Sequence, residues 1–534
     1  MMVIEYDEYI FIIDAGIMFP EDYMLGVDIV IPLMDYIKQK KNNILGLVLT
    51  HAHEDHIGAV PYLLKIVNVP IYATSFTLGM LKAKLEECTL LSAITFNEIS
   101  PEKKLEIGPF ELDFIRVNHS VIDGVAVAIR TPLGVIIHTG DFKINLSAND
   151  GSITDINKFA LYGQKGVLAL LSDSTNVERE GFTLSDQQIG DSIEKIFSRS
   201  NGRIIIALFA SNIARIQQVI NICESRGRKV FINGRSIETS SNIAKSLGYL
   251  KIPDGMLLDI TKLSDIPDSK ITIVITGSQG EPMSALARIS SGTHKYIKVK
   301  QEDTIILSSK FIPGNEKAIY HIINSLYRKG ADVIYEMISD IHVSGHAFQE
   351  ELKLMIKLTK PKYFIPIHGE YRHLVLHTRI AAQIGLPQEN ILLAENGRVI
   401  SFNHNGASIN ESVISGRVLV DGKGVGDVGR SVLKERRALS EDGLVAVTLG
   451  IDEATGIIIY GPKLLSKGFI FENETGHLLE DAKCVILEIV EDSLPIDKPE
   501  KLNKIRSEVQ SNLRQYFKIA IKRRPVIMPF IFTI

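Results

Sequence analysis

The sequence is poor in cysteine, in long apolar runs and in excess positive charge. Its three cysteines, Cys88, Cys223 and Cys484, lie far apart and form no CxxC pair. That excludes a disulfide framework and a cysteine-based metal site, and it suits a reducing, cytoplasmic setting. No run of about 18 apolar residues occurs, so no membrane span is expected. The apolar stretch from Tyr9 to Phe19 is broken by Asp14. The first residues lack the basic, apolar and cleavage segments of a secretory signal. Lys and Arg number 59 against 63 Asp and Glu, a formal net charge of −4. A uniformly basic nucleic-acid coat is therefore excluded, and any nucleic-acid site must be a local groove. Internal repeats and low-complexity tracts are absent too.

What is present is ordinary for a soluble enzyme: 534 residues, 45% hydrophobic and 23% charged. That length exceeds one core, so two to four domains are expected. Residues 1–186 alternate short apolar runs with turn signals. VIEYDEYIFIIDAG reads as a hairpin-like pair of strands, ILGLVLT (44–50) as a buried strand, and IGAVPYLLKIV (57–67) as a helix with Pro61 near its start. From 187 to 345 strands and helices alternate, which predicts a parallel sheet with helices on its faces. Residues 346–428 return to helix and strand and end in the Gly-rich linker DGKGVGDVG. Residues 435–534 read as a separate small α/β domain.

The chain has 14 histidines, and three of them fall in HAHEDH, His51 to His56. Imidazole and carboxylate are the ligands that hold zinc without cysteine. His51, His53, Asp55 and His56 follow a strand and precede a helix, so a tight loop can splay them toward two adjacent ions. At this composition HxHxDH arises by chance in fewer than about one chain in a thousand. Six residues cannot enclose two ions, so further ligands are required. Three stand at strand ends: His119 in RVNHS, Asp141 in HTGDFK and His368 in IPIHGE.

This order of ligands resembles the metallo-β-lactamase superfamily, and the segment between Asp141 and His368 resembles the β-CASP insertion of nucleic-acid-processing members. Along nearly its whole length the chain resembles the bacterial ribonuclease J family. The carrying stretches are DAGIMFPEDYMLGVDIVIP, LTHAHEDHIGAVPYLL, HTGDFK, LLSDSTN, FASNIARIQQV, TGSQGEPMSAL, SDIHVSGHA and IPIHGEYRHL. The resemblance implies an αββα sandwich with an inserted β-CASP α/β domain and a small C-terminal α/β domain. It implies one zinc on His51, His53 and His119, a second on Asp55, His56 and His368, and Asp141 bridging them. Asp14 then supports the metal loop rather than binding. Asp55, Asp173 and His346 carry the catalytic assignments, with His346 as general acid and Asp173 orienting a neighbouring histidine. The loop His342, Val343, Ser344, Gly345, His346 is expected to hold an RNA phosphate, with Ser211 and Asn212 of FASN touching RNA. Arg215, Arg235, Arg288 and Lys310 are candidates for a local basic channel, and TGSQGEP (276–282) for a phosphate cradle. Gly26, Asp28 and Asp421 resemble positions where some members hold calcium; magnesium or manganese are further candidate ions.

The implied function is a zinc-dependent ribonuclease, both 5′-to-3′ exonuclease and endonuclease, acting on single-stranded RNA with a 5′-monophosphate, in mRNA decay and rRNA maturation. The implied assembly is a homodimer or homotetramer, or a pairing with a paralogous subunit. Two other readings share the motif. A small-molecule metallohydrolase needs no second lobe, which weighs against it. A non-catalytic RNA-binding partner subunit needs no metal ligands, and all of them are intact. Two features depart from the family pattern. A strand and Gly-rich turn usually precede VIEYD in the family and do not stand before it here, so a sheet edge is expected to be left unpaired, and Ala214 stands where histidine is common.

Overall fold

The structure is a computed structural model. It describes residues 1–533 apart from 89–93, 146–152, 278–282, 310–314, 337, 339–340, 342–343, 453–454, 456, 471–476 and 494–498. The chain divides into two compact units, Met1–Ile17 with Pro32–Gly416, and Met18–Ile31 with Arg417–Ile534.

The first unit contains two facing sheets. One has five strands in the order Met2–Tyr6, Tyr9–Ile13, Ile44–Val48, Ile71–Ala73, Phe96–Glu98. The other has six, in the order Pro361–Ile367, Val167–Asp173, Gly134–His138, Val125–Thr131, Phe110–Arg116, Leu105–Ile107. The two faces share one apolar core, in which Phe11, Ile13 and Val48 meet Phe110, Phe114, Val127, Ile136, Leu171 and Ile365. Strand side chains alternate, so the opposite face of the six-stranded sheet must be covered as well. Ile115, Ala128 and Ile137 lie under Phe159, Met355, Ile356 and Ile380, which come from the helices Ile156–Lys165, Gln349–Thr359 and Tyr371–Gln383. The result is the expected αββα sandwich.

Between Val167–Asp173 and Pro361–Ile367 the chain makes its inserted lobe. This is an all-parallel sheet ordered Lys229–Asn233, Ile271–Ile275, Ile204–Ala207, Thr304–Leu307, Asp332–Ile334. Its central strands, IIIA and ITIVI, are apolar at nearly every position and fully buried. Continuous apolar runs of this kind are what a sheet covered on both faces requires. Helices Asp186–Arg199, Ile213–Ser225 and Arg235–Ser246 line one face, and Ala285–Ser291 with Glu316–Arg328 the other.

One ion pair inside this lobe is wholly buried. Arg203 Nε donates to Asp303 Oδ1 at 2.8 Å and its Nη2 to Asp303 Oδ2 at 2.5 Å, while Lys300 N donates to Asp303 Oδ2 at 2.7 Å. Removing one partner strands the other charge in a dry interior. Asp303→Ala is therefore expected to destabilise the protein by about 3–5 kcal/mol, read as a lower denaturation midpoint with unchanged slope. Arg203→Met with Asp303→Leu should recover most of that loss.

In the second unit, Arg417–Asp421 pairs with Gly424–Val425 and with the short strand Ile29–Pro32. A three-stranded sheet, Ile458–Lys467, Leu444–Ile451, Val526–Thr533, carries helices Leu478–Glu491 and Pro499–Ile521 on one face. No described helix is long and apolar enough to cross a membrane.

Candidate metal centre

The HAHEDH loop leaves the strand Ile44–Val48 and is stitched to the DAG segment that leaves the neighbouring strand. Ala15 N donates to His56 O (2.7 Å), Ile17 N to Glu54 O (3.0 Å), and Ala59 N to Ala15 O (2.8 Å). The last bond takes the donor that a continuous helix would use, which is why the helix expected over 57–67 appears as two single turns, Glu54–Ile57 and Val60–Leu63. Gly16 is required here, because a Cβ on it would lie 1.5 Å from Asp55 O. Asp14, at φ 57°, sits beneath the loop. It accepts from Thr50 N, Thr50 Oγ1 and His56 Nδ1 at 2.8, 2.8 and 2.6 Å. Its part is to hold the loop.

Three sets of ligand atoms converge at one end of the sandwich: His51, His53, His119 and Asp141; Asp55, His56, Asp141 and His368; and Asp141, Asp173, His346 and His368. Asp141 is common to all three. Its Oδ2 lies 3.7 Å from His51 Nε2, 3.8 Å from His119 Nε2 and 3.2 Å from His56 Nε2, and its Oδ1 lies 3.7 Å from His368 Nε2. Asp55 Oδ2 closes the second set, 3.7 Å from His56 Nε2 and 3.4 Å from His368 Nε2.

Each imidazole is aimed through its other nitrogen. His51 Nδ1 meets Thr50 Oγ1 (3.0 Å), His53 Nε2 meets Ser211 Oγ (3.1 Å), His56 Nδ1 meets Asp14, His119 Nδ1 meets Gly345 O (2.7 Å), and His368 Nδ1 meets Thr175 Oγ1 (2.8 Å). Partners of this kind fix the tautomer and orientation a metal ligand needs. His56 Nε2 is buried and makes no hydrogen bond, so it is the atom that can turn to an ion once its proton is displaced. These donors fit a divalent ion bound by imidazole and carboxylate.

The charges agree with that fit. Burial pushes His51 and His119 well below the ordinary histidine range and His53 to about 4, so all three are neutral. Burial also works against charge on His56 and His368, but nearby carboxylates outweigh it. Asp141, Asp14 and Asp55 lift His56 to about 10, and Asp141, Asp173 and Asp55 raise His368 well above its usual value. Without an ion, protons balance the buried acids. A cation must displace them, so metal uptake will release protons, and affinity will rise with pH by about tenfold per unit for each proton lost. Calorimetric titration with zinc in two buffers of different ionisation enthalpy checks this; identical heats in both would refute it.

His346 stands beside the cluster. Its Nδ1 is 2.8 Å from Asp173 Oδ2 and 3.9 Å from Asp141 Oδ2. Burial disfavours its charged form, yet Asp173 and Asp141 raise its pKa overall. Asp173 also takes the N–H of Thr175 and its hydroxyl. Ser344 Oγ accepts from Asn176 Nδ2 at 2.5 Å and from His346 N at 3.2 Å. Gly345 permits a close approach, and the group that approaches is His119: a Cβ there would fall 2.6 Å from its ring. His342, Val343, Lys310 and most of TGSQGEP lie outside the described residues.

Other expected site residues are placed differently. Asn212 caps the helix Ile213–Ser225 by accepting from Arg215 N. Arg215 is 3% exposed, bonded to Gln218 and 3.7 Å from Asp186, so it cannot line an open channel. Arg235 and Arg288 are exposed, Arg235 beside Glu87. Gly26, Asp28 and Asp421 do come together, but the arrangement does not fit a calcium ion. Arg436 already supplies the positive charge there, donating to Asp421 Oδ2 (2.5 Å) and Leu25 O (2.9 Å), with Nη1 2.7 Å from where a Cβ on Gly26 would lie. Asp28 Oδ2 is engaged by Gly422 N. Sequence reasoning missed Thr50 and Thr175, although each stands beside a quoted site residue.

Comparison with known proteins follows the same lines. Family models match residues 1–155 as the metallo-β-lactamase superfamily, 201–326 as the ribonuclease J β-CASP domain, 330–389 as a Zn-dependent metallo-hydrolase RNA specificity domain, and 431–534 as the ribonuclease J C-terminal domain. Ribonuclease J 1 of Streptococcus pyogenes is 42% identical over 99% of this chain and 94% of its own. The chain belongs to the ribonuclease J family. Other relatives are ribonuclease J of Thermus thermophilus, 41% identical over 99% of this chain and 92% of its own, and ribonuclease J2 of Bacillus subtilis, 38% over 100% and 96%. A crystal structure of a protein of unknown function from Enterococcus faecalis shares the fold, with TM-score 0.51 and 14% identity over 78% of this chain and 96% of that one. Ribonuclease J enzymes are metal-dependent ribonucleases, and the cluster around Asp141 is the part of this member that would hold its metal.

Proposed function

We propose that this ribonuclease J holds two zinc ions, one on His51, His53 and His119 and one on Asp55, His56 and His368, with Asp141 between them. The observation that supports it is that the two oxygens of a single buried carboxylate, Asp141, face both ligand sets. Such a pair of ions supplies an ionised water near neutral pH and a clamp on the oxygens of a scissile phosphate. The chain's own groups do the rest. Thr50, Ser211, Asp14, Gly345 and Thr175 keep the imidazoles aimed. Asp173 favours the protonated form of His346, which stands close enough to the cluster to give a proton to the leaving 3′ oxygen. Cleavage then leaves a 5′-phosphate and a 3′-hydroxyl. The Ser344–His346 turn, bonded to Asn176 and to His119 beside the cluster, would hold the phosphate of a single strand.

In this reading the enzyme degrades single-stranded RNA from a 5′-monophosphate end, with internal cleavage as a second activity. It serves mRNA decay and rRNA maturation in the cytoplasm, as a dimer or tetramer of its own or with a paralogous subunit. The test uses purified protein and a 20-to-40-nucleotide RNA, labelled at a 5′-monophosphate or a 5′-triphosphate. Labelled mononucleotide released from the monophosphate form alone supports the exonuclease. Internal fragments from both forms would move the reading to an endonuclease. No cleavage of either, with metal bound, would overturn it.

A further inference from the structure

Three of the five imidazoles in the two ligand sets are held by the sandwich and its adjoining loops; His119 is held by Gly345, where the inserted segment ends, and His53 by Ser211, in the body of the inserted lobe. His53 Nδ1 lies 3.1 Å from His51 Nε2 and 3.0 Å from His119 Nε2, inside the ligand cluster. Nδ1 must therefore be the bare, ligating nitrogen and Nε2 the protonated one. Nε2 then donates to Ser211 Oγ at 3.1 Å. Ser211 sits in the FASN loop, between the strand Ile204–Ala207 and the helix Ile213–Ser225. That loop is rigid on both sides: Ser240 Oγ donates to Ala210 O at 2.5 Å, and Asn212 caps the helix.

A second contact joins the inserted lobe to the segment that carries Asp141. Lys143, two residues beyond Asp141 and 1% exposed, donates to Asp186 Oδ2 at 2.9 Å. Asp186 opens the helix Asp186–Arg199 and faces Arg215 Nη2 at 3.7 Å, while Gln218 Nε2 donates to Asp186 O at 3.0 Å. The two helices are thus tied to each other, and contact the cluster beside Asp141 at one point and at His53 at another.

We propose that Ser211 is a positioning residue for the metal site: its hydroxyl, delivered by the inserted lobe, fixes the His53 tautomer that presents Nδ1 to the ion, and so couples ion affinity to the seating of that lobe. The proposal rests on the two-metal reading above. A partner to the second nitrogen of a ligating histidine is worth about 10–100-fold in metal affinity. The coupling must run both ways: whatever seats the lobe tightens the ion, and the ion seats the lobe.

The test is zinc competition against a chromogenic chelator on the full chain and on Ser211→Ala, Ser211→Thr and Asp186→Asn. In Ser211→Ala one of the two ions should weaken about 10–100-fold while the other stays. Ser211→Thr, which keeps the hydroxyl, should recover most of that affinity. Asp186→Asn, which loosens the lobe without touching His53, should weaken the same ion. Hydrogen exchange supplies the reciprocal readout: zinc should slow amide exchange across 213–225 in the wild type and not in Ser211→Ala. Unchanged zinc binding in Ser211→Ala, with or without a raised KM for RNA, would overturn the proposal and leave the two-metal reading standing. A wild-type chain that takes up no zinc would overturn both.

Discussion

Replacing Asp141 with alanine will lower RNA cleavage by at least about three orders of magnitude, and metal content will fall with it. The effect is large because one side chain serves both ligand sets, so its loss removes a donor from each ion and the negative charge between them. Several kcal/mol of transition-state stabilisation by the metal pair is at stake. The site will also suffer electrostatically. Asp141 is 3% exposed, and burial alone would favour its neutral form. His368, His56 and His346 together hold its carboxyl far below the usual range, and in its absence those imidazoles lose their main counter-charge. Single-turnover cleavage and metal analysis of the same preparation measure both effects. Asp141→Ala retaining both ions and a rate within tenfold of wild type would remove Asp141 from the centre of the mechanism.

The second large effect is expected at His346. Substitution by asparagine should cost about 10²–10⁴-fold in the cleavage step, the ordinary worth of a positioned general acid. Metal content should stay near wild type, because the two proposed zinc sites do not draw on this ring. The decisive comparison uses RNA whose leaving 3′ oxygen is replaced by sulfur. A thiolate departs without a proton, so His346→Asn should cleave that linkage almost as fast as wild type. Equal defects on both substrates would assign His346 to binding or structure instead. Asp173→Asn should show a weaker form of the same pattern, since Asp173 acts through the 2.8 Å contact to His346 Nδ1.

Much of this centre was legible in the sequence because its ligands are sparse residue types in a dense local pattern. HAHEDH declares itself, and His119, Asp141 and His368 follow at strand ends in the expected order. The alternation of strand and helix from 187 onward likewise announced a parallel sheet. What could not be read depends on contacts between distant stretches. Ser211 touches His53 across 158 residues, and Thr175 touches His368 across 193. Arg215 looked like a channel cation because nothing local reveals its burial against Asp186. The helix after HAHEDH is shorter than its sequence predicts because the donor it needs is spent on Ala15, in the segment that leaves another strand. The residues expected around calcium meet a related obstacle. Arg436 is far along the chain from Gly26, and only the fold brings its guanidinium over that glycine. Met18–Ile31 packs with the C-terminal unit through pairings some 394 residues apart, such as Gly422 N to Asp28.

The bond from His119 to Gly345 spans 226 residues, and it sets a timetable for the newborn chain. A ribosome delivers the HAHEDH loop, His119 and Asp141 long before the turn that steadies His119, and His368 emerges later still. Until the inserted lobe has been made, His53 and His119 lack the partners Ser211 and Gly345 that aim them, and the second ligand set has no closing member. On the two-metal reading, the nascent polypeptide can complete both ligand sets only once about two-thirds of these 534 residues have been made.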